Sequence, residues 1–191
     1  VRLGEMTIKS SRIIIATNPW NCARLIRFID PMQPLFRNLV QFEYQPIATV
    51  FLKYSRPLLL QPAMLGFADS VTQWVFDRRI TSHPKMLAAI ISADGEHTSM
   101  NKEALTRQVI QDIKANTPIQ DDPVDSMVIR EKRATFSATP AMEHLRPDNE
   151  TAIGGCWIAG DYTTTGYPAT LEGAIISGKA VAASILKGNT P

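Results

Sequence analysis

Two short apolar runs, one near each end of the chain, lead straight into a turn and a helix, and this pairing limits what the chain can fold into. Ile13 to Ala16 is rich in β-branched residues and reads as a strand covered on both faces. It runs into Thr17-Asn18-Pro19-Trp20, where Asn18 can cap a helix and Pro19 can occupy its first position, since a missing N–H costs nothing there. Cys22, Leu25, Ile26 and Ile29 follow at helical spacing. Near the other end, Cys156-Trp157-Ile158-Ala159 reads as a second buried strand, and a closing helix runs from about Pro168 to Leu186. The ends resemble each other and the middle differs. A chain that leaves one domain, builds another and returns has this pattern.

Pro31 and Pro34 mark the crossing into the middle region. Ile47 to Tyr54 is a strand with Ala48, Val50, Leu52 and Tyr54 on one face and Ile47, Thr49, Phe51 and Lys53 on the other. Thr72 to Phe76, Leu87 to Ser92 and Met127 to Thr135 are further strands. Asn101 to Lys114 reads as a helix capped by Asn101, with Leu105, Val109 and Ile113 on one stripe. Several strands with one crossover helix predict a mixed or antiparallel sheet here, and an α/β (α+β) fold for the whole. The expected division is residues 1–30 returning to a first domain, 31–150 forming a second, and 151–191 closing the first.

Composition excludes several classes. A 45% apolar and 20% charged chain of 191 residues can bury a substantial core. The net charge of +2, without a basic block, gives no footprint for nucleic acid. No apolar run reaches the ~18 residues of a membrane span. Cys22 and Cys156 suggest neither a disulfide framework nor a zinc site, and a reducing cytoplasmic location is the expectation. His83, His97 and His144 lack metal-ligand spacing and read as surface histidines; no metal is expected.

The most informative stretch is Gly160 to Ala174. A strand ends at Gly160-Asp161, a Thr- and Gly-containing loop follows, and a helix begins near Pro168. Unpaired N–H groups at such a helix start favour an anionic or electron-rich ligand. Asp161 suits sugar or polyol hydroxyls and repels phosphate. Ala174, Gly178 and Ala182 form a smooth stripe that lets another backbone approach. Gly-Asp before a loop is also common turn chemistry, and small stripes also serve ordinary helix packing.

The run Trp157-Ile158-Ala159-Gly160-Asp161, with Gly166-Tyr167-Pro168-Ala169-Thr170-Leu171-Glu172-Gly173-Ala174 and Ser177-Gly178, resembles the C-terminal flavin motif of the flavin-containing amine oxidase and phytoene desaturase superfamily. Within it, the Thr-Gly-Tyr-Pro-Ala-Thr-Leu-Glu-Gly version, Gln73 to Arg78, and Arg130 to Pro140 look most like the hydroxysqualene dehydroxylase family. The resemblance implies FAD as cofactor, with Gly160 and Asp161 at its ribityl and pyrophosphate region. Pro168, Ala169, Thr170 and Leu171 then match the helix start facing the flavin N1 and O2 edge, where reduced flavin carries negative charge. It implies reductive dehydroxylation of hydroxysqualene to squalene, a step of squalene and hopanoid biosynthesis. The alternatives are a carotenoid desaturase or an amine oxidase, or, in another class, a non-catalytic prenyl- or lipid-binding protein on the same scaffold. No catalytic residue is identified.

The superfamily also carries an N-terminal G-x-G-x-x-G unit, and no G-x-G occurs here. With Val1 in place of Met, this leads to the expectation that the chain is the C-terminal portion of a longer protein, whose N-terminal half completes the cofactor site. Trp74 and Phe76 fall, by the same resemblance, in the substrate domain, where they would line an apolar tunnel; by residue type alone they read as core aromatics. Asp77-Arg78-Arg79 reads as a solvated strand end, and the charged run from Arg130 as a partly exposed strand. Leu58-Leu59-Leu60 and Pro62 to Leu65 look exposed, and offer peripheral contact with the inner face of a membrane or a buried loop.

Overall fold

A computed structural model describes residues 2, 3 and 5–188, so the ends of the expected 1–30 and 151–191 segments lie partly outside the described residues. The chain divides into two units, Val1–Glu43 with Phe136–Pro191, and Tyr44–Thr135. The middle unit is therefore narrower than the expected 31–150. Residues 31–43 stay with the first unit because its second helix packs on its first. Residues 136–150 stay because Arg146 and Asn149 bond to the segment after residue 157.

In the first unit, β1 (Arg2–Leu3) and β2 (Met6–Thr7) form a short antiparallel ladder. β3 (Ile13–Ile15) follows, and its parallel partner β9 (Cys156–Ile158) comes from the far end of the chain, with Ile14 opposite Trp157. The two strand-turn-helix segments thus lie side by side. β3 is less covered than expected: Ile14 is exposed, and among the described residues β9 is the one strand paired with it. α1 (Pro19–Ile26) starts as the sequence predicts, with Asn18 Oδ1 accepting the Asn21 N–H at 2.9 Å and proline in the first turn. Its inner face carries Cys22, Ala23 and Ile26, while Leu25 points outward. α2 (Gln33–Leu39) packs on it.

The middle unit is a five-stranded sheet in the order β5-β6-β7-β4-β8, from β4 (Tyr44–Lys53), β5 (Met64–Gly66), β6 (Trp74–Asp77), β7 (Met86–Ser92) and β8 (Asp125–Phe136). The β5-β6, β6-β7 and β7-β4 pairs are antiparallel. α3 (Lys102–Asn116), capped by Asn101, lays Leu105, Val109 and Ile113 on Ala48, Val50, Leu52, Val75, Leu87, Ala89 and Ile91. This is the period-two and period-four matching that the sequence displays, and one helix covers one face.

Three expectations for this unit are corrected. Leu58 and Leu60 are buried in the sheet–helix core, leaving Leu59 and Met64 exposed. Asp77 is 1% exposed: its carboxylate accepts the Leu60 N–H (3.0 Å) and the Arg79 N–H (2.9 Å), and pairs with Arg79 Nε at 2.7 Å. Burial disfavours its charged form and works to raise its pKa, yet these donors hold that pKa below the ordinary aspartate value. His97 is buried, its Nε2 without a hydrogen-bond partner among the described residues, because the helical turn Glu96–Thr98 folds it inward. In the charged strand, Arg130 donates to the carbonyls of Thr98 (3.1 Å) and Met100 (2.7 Å), bracing the approach to α3.

Candidate functional site

After β9 the chain turns on Gly160. A Cβ there would lie 2.5 Å from Tyr162 Cε1, and Tyr162 is fully buried, so glycine is needed for this close approach. Phe42 meets the Tyr162 ring edge-on, with centroids 6.3 Å apart, and meets Phe136 in the same manner at 5.4 Å. The aromatic bed under the turn comes from three separate segments.

Two polar anchors hold the loop above that bed. The first is Arg146, which follows α4 (Pro140–Leu145) and whose side chain is 2% exposed. Its Nε and Nη2 donate to the Thr163 carbonyl at 3.1 and 2.6 Å. Nη2 also reaches the Asp161 carbonyl (3.2 Å) and Thr165 Oγ1 (3.1 Å), and Nη1 pairs with the Glu143 carboxylate at 2.9 Å. The second anchor is Ser177, buried one and a half turns into α5 (Leu171–Leu186). Its Oγ accepts from the Gly160 N–H (3.0 Å) and Asn149 Nδ2 (2.8 Å), and lies 2.8 Å from Thr163 Oγ1. Asn149 Nδ2 also reaches the Ile158 carbonyl at 2.9 Å, tying strand, loop and helix together.

Arg146 and Asn149 had no signature in the sequence reading, and Ser177 appeared only as part of the motif. Their partners lie 9 to 28 positions away, beyond any local spacing rule. The one local hint is Glu143, three residues before Arg146.

Asp161 is half-buried. Burial raises its pKa above the ordinary aspartate value, with its own N–H, Arg146 and the Tyr162 N–H pulling the other way. A desolvated carboxylate of this kind gains by meeting hydroxyl donors. The closing helix starts later than expected, at Leu171, because Thr170 takes the capping position and its Oγ1 accepts the Gly173 N–H at 3.1 Å. Pro168 and Ala169 therefore belong to the approach, which turns at Gly166 with φ +71°. They line a cavity of about 420 Å³ together with Phe136, Glu143, Arg146 and Tyr167. Gly160, Asp161, Thr170 and Leu171 lie outside its lining, and the Leu171 side chain is 86% exposed. The small-residue stripe is also open: a Cβ on Gly178 would meet nothing within 4 Å, and the buried stripe is instead Gly173, Ser177 and Val181.

In the middle unit, Trp74 and Phe76 are not core residues. Val75 between them is fully buried under α3, so its neighbours face the other way, and Trp74 is 43% exposed. Cross-strand register sets Phe76 beside Ala88 and Met64, and Trp74 beside Ile90 and Gly66. A Cβ on Gly66 would sit 3.2 Å from the Trp74 ring, so the glycine leaves room for the indole. Phe51, opposite Ala88, extends this apolar face. Among the described residues no group of three His, Cys, Asp or Glu side chains gathers where it could hold a metal ion.

Comparison with known proteins agrees with this arrangement. Residues 4–186 match the family described as flavin containing amine oxidoreductase. The hydroxysqualene dehydroxylase of Rhodopseudomonas palustris is 33% identical over 144 residues, covering 75% of this chain and 33% of that protein. The hydroxysqualene dehydroxylase of Zymomonas mobilis is 30% identical over 182 residues, covering 95% of this chain and 39% of that protein. The chain thus spans between a third and two fifths of these relatives' length. Among solved structures, cyclohexylamine oxidase from Brevibacterium oxydans superposes with a TM-score of 0.74 over 97% of this chain and 44% of its own, at 16% identity, a likeness of fold alone. With the family's pattern running through nearly all of its residues and a strand-loop-helix built as described, the chain belongs to the flavin-containing amine oxidoreductases.

Proposed function

We propose that this chain is part of an FAD-dependent oxidoreductase acting on a triterpene, and that the reaction is reductive removal of the hydroxyl of hydroxysqualene to give squalene. The observation that carries the choice of reaction is the relation to two hydroxysqualene dehydroxylases, which reaches 95% of the chain. Reduced FAD, when bound, would supply the hydride that replaces the hydroxyl, which takes up a proton and leaves as water. The residues present suit such a group: a half-buried carboxylate at Asp161 for ribityl hydroxyls, and a capped helix start whose first amides have no intrahelical acceptor.

In this reading Asp161 would accept hydrogen bonds from the cofactor's hydroxyls, and Gly160, whose missing side chain makes room for the Tyr162 ring, would allow the turn that places this carboxylate. Ala169, Thr170 and Leu171 would present N–H dipoles to the electron-rich edge of its ring, a stabilisation that grows as negative charge develops there, and Pro168, which has no N–H, would fix the approach to the helix start. Trp74 and Phe76 would supply apolar contact for the isoprenoid chain. Residues 1–43 and 136–191 serve the cofactor domain and 44–135 the substrate domain. The N-terminal half of the same protein completes the cofactor site, and the enzyme works in the cytoplasm against the inner face of a membrane.

The test is anaerobic incubation of the full-length protein with hydroxysqualene and chemically reduced FAD, read by gas chromatography. Squalene is the expected product. Flavin-loaded protein that yields no squalene but desaturates a carotenoid precursor would overturn the reaction assigned here, and protein without flavin absorbance would favour the lipid-binding alternative.

A further inference from the structure

We infer that Thr163 and Ser177 are positioning residues for Asp161, closing with Gly160 a ring of hydrogen bonds that fixes the peptide plane carrying this carboxylate. The inference rests on the assignment of Asp161 to the cofactor's hydroxyls. It uses only groups within one unit of this chain, and both hydroxyl residues are wholly buried. Their partners are therefore the ones the chain itself supplies.

Counting hydrogens gives the ring its direction. Ser177 Oγ accepts from the Gly160 N–H at 3.0 Å and from Asn149 Nδ2 at 2.8 Å, which occupies both of its lone pairs. Its own proton is left for Thr163 Oγ1, 2.8 Å away. The Thr163 proton then goes to the Gly160 carbonyl, 3.0 Å from Oγ1. Reversing the bond between the two hydroxyls would leave the buried Ser177 proton without an acceptor among the described residues, which is costly. The ring thus runs from the Gly160 N–H through Ser177 and Thr163 and back to the Gly160 carbonyl.

This arrangement compensates for a weakness in the local sequence. Position 160 is glycine because the Tyr162 ring leaves no room for a Cβ, and glycine restrains φ and ψ less than any other residue. A carboxylate on the next residue would swing with it. Holding the Gly160 carbonyl fixes the plane of the Gly160–Asp161 peptide, since that bond is rigid, and with it the direction of the Asp161 N–H. The following plane is held separately, by Arg146 Nη2 on the Asp161 carbonyl at 3.2 Å. Asp161 stands between two fixed peptides, and its side-chain torsions are the freedom left to the carboxylate. A group held in this way loses less freedom when a ligand's hydroxyls meet it, so affinity rises without any new contact.

The test is titration of the cofactor-free full-length protein with FAD, read by flavin fluorescence, in a double-mutant cycle with Asp161. Thr163→Val keeps the shape of the side chain and opens the ring; it should weaken FAD binding about 3- to 10-fold. Thr163→Ser, which keeps the hydroxyl, should stay within about twofold of wild type. In an Asp161→Ala background Thr163→Val should change affinity by less than about twofold, because nothing remains for the ring to aim. Ser177→Ala should repeat both results. Equal losses in the two backgrounds overturn the inference and leave the assignment of Asp161 standing, since a hydroxyl that only stabilises the fold would act in both. An Asp161→Ala protein that binds FAD like wild type overturns that assignment, and the inference with it. Hydrogen exchange of the cofactor-free wild type, resolved to single amides by mass spectrometry, tests the ring without any variant. The Gly160 amide should exchange at least ~100-fold more slowly than an unstructured amide; exchange at the unstructured rate overturns the inference.

Discussion

Replacing Arg146 by Ala should unfasten the 161–165 loop. The guanidinium serves two backbone carbonyls and one hydroxyl of the 161–165 segment from a site where its side chain is 2% exposed. A charged hydrogen bond contributes about 1.5–3 kcal/mol, and a buried carbonyl left without a donor costs ~1–3 kcal/mol. The Glu143 arm adds little, since that carboxylate is 56% exposed and screened. These contributions overlap at Thr163 and do not add, so the expected loss is about 3–5 kcal/mol. For a cooperative unit of this size that is a fall in Tm of roughly 6–20 °C. Scanning fluorimetry of the full-length protein, with the ratio of flavin to protein absorbance, reads both consequences. Arg146→Lys should recover less than half, because one ammonium cannot reach the carbonyls of Asp161 and Thr163 with the geometry of a planar fork. A drop below ~1 kcal/mol in Arg146→Ala, with normal flavin content, would refute the idea that this side chain holds the loop.

Other perturbations separate binding from stability. Asp161→Ala should weaken FAD binding about 10- to 100-fold through loss of a charge-assisted hydrogen bond worth ~1.5–3 kcal/mol, as read by titration of the cofactor-free protein. The same residue gives an opposite pH signature without cofactor. Its folded pKa is raised above 3.8, so its contribution to stability is complete below that value and is lost as pH rises through the folded pKa. Asp161→Asn should therefore be more stable than wild type at neutral pH and lose that advantage in acid, measured by urea melts. Gly160→Ala should cost about 1–3 kcal/mol, since the buried Tyr162 ring must move, and a Tm equal to wild type would remove the packing argument. Trp74→Ala, on an exposed face, should change stability by less than ~1 kcal/mol while raising KM for the triterpene.

The legible parts of this fold are those in which local pattern and final packing coincide. Asn18 and Asn101 cap the helices they precede in the sequence reading, and the alternation in β4 divides its side chains between core and open face as written. Alternation around Val75 shows that Trp74 and Phe76 share a face, but not which face α3 will cover, because that depends on a helix nearly 30 residues later. Arg146 and Asn149 read as ordinary polar residues, since a salt link or amide contact formed across the chain leaves no period behind. The inward side of His97 is hidden for a related reason: a helical turn of three residues carries no hydropathy pattern to indicate it.

Ser177 fixes more than a turn. Its oxygen serves a strand-end amide, an asparagine and a threonine from one rung of α5, so rotating that helix by a single residue, about 100°, would strand all three at once. Intermediate settings do not exist for such a lock. The loop and helix must shift together or not at all, and a cofactor resting on them would keep its seat through successive turnovers.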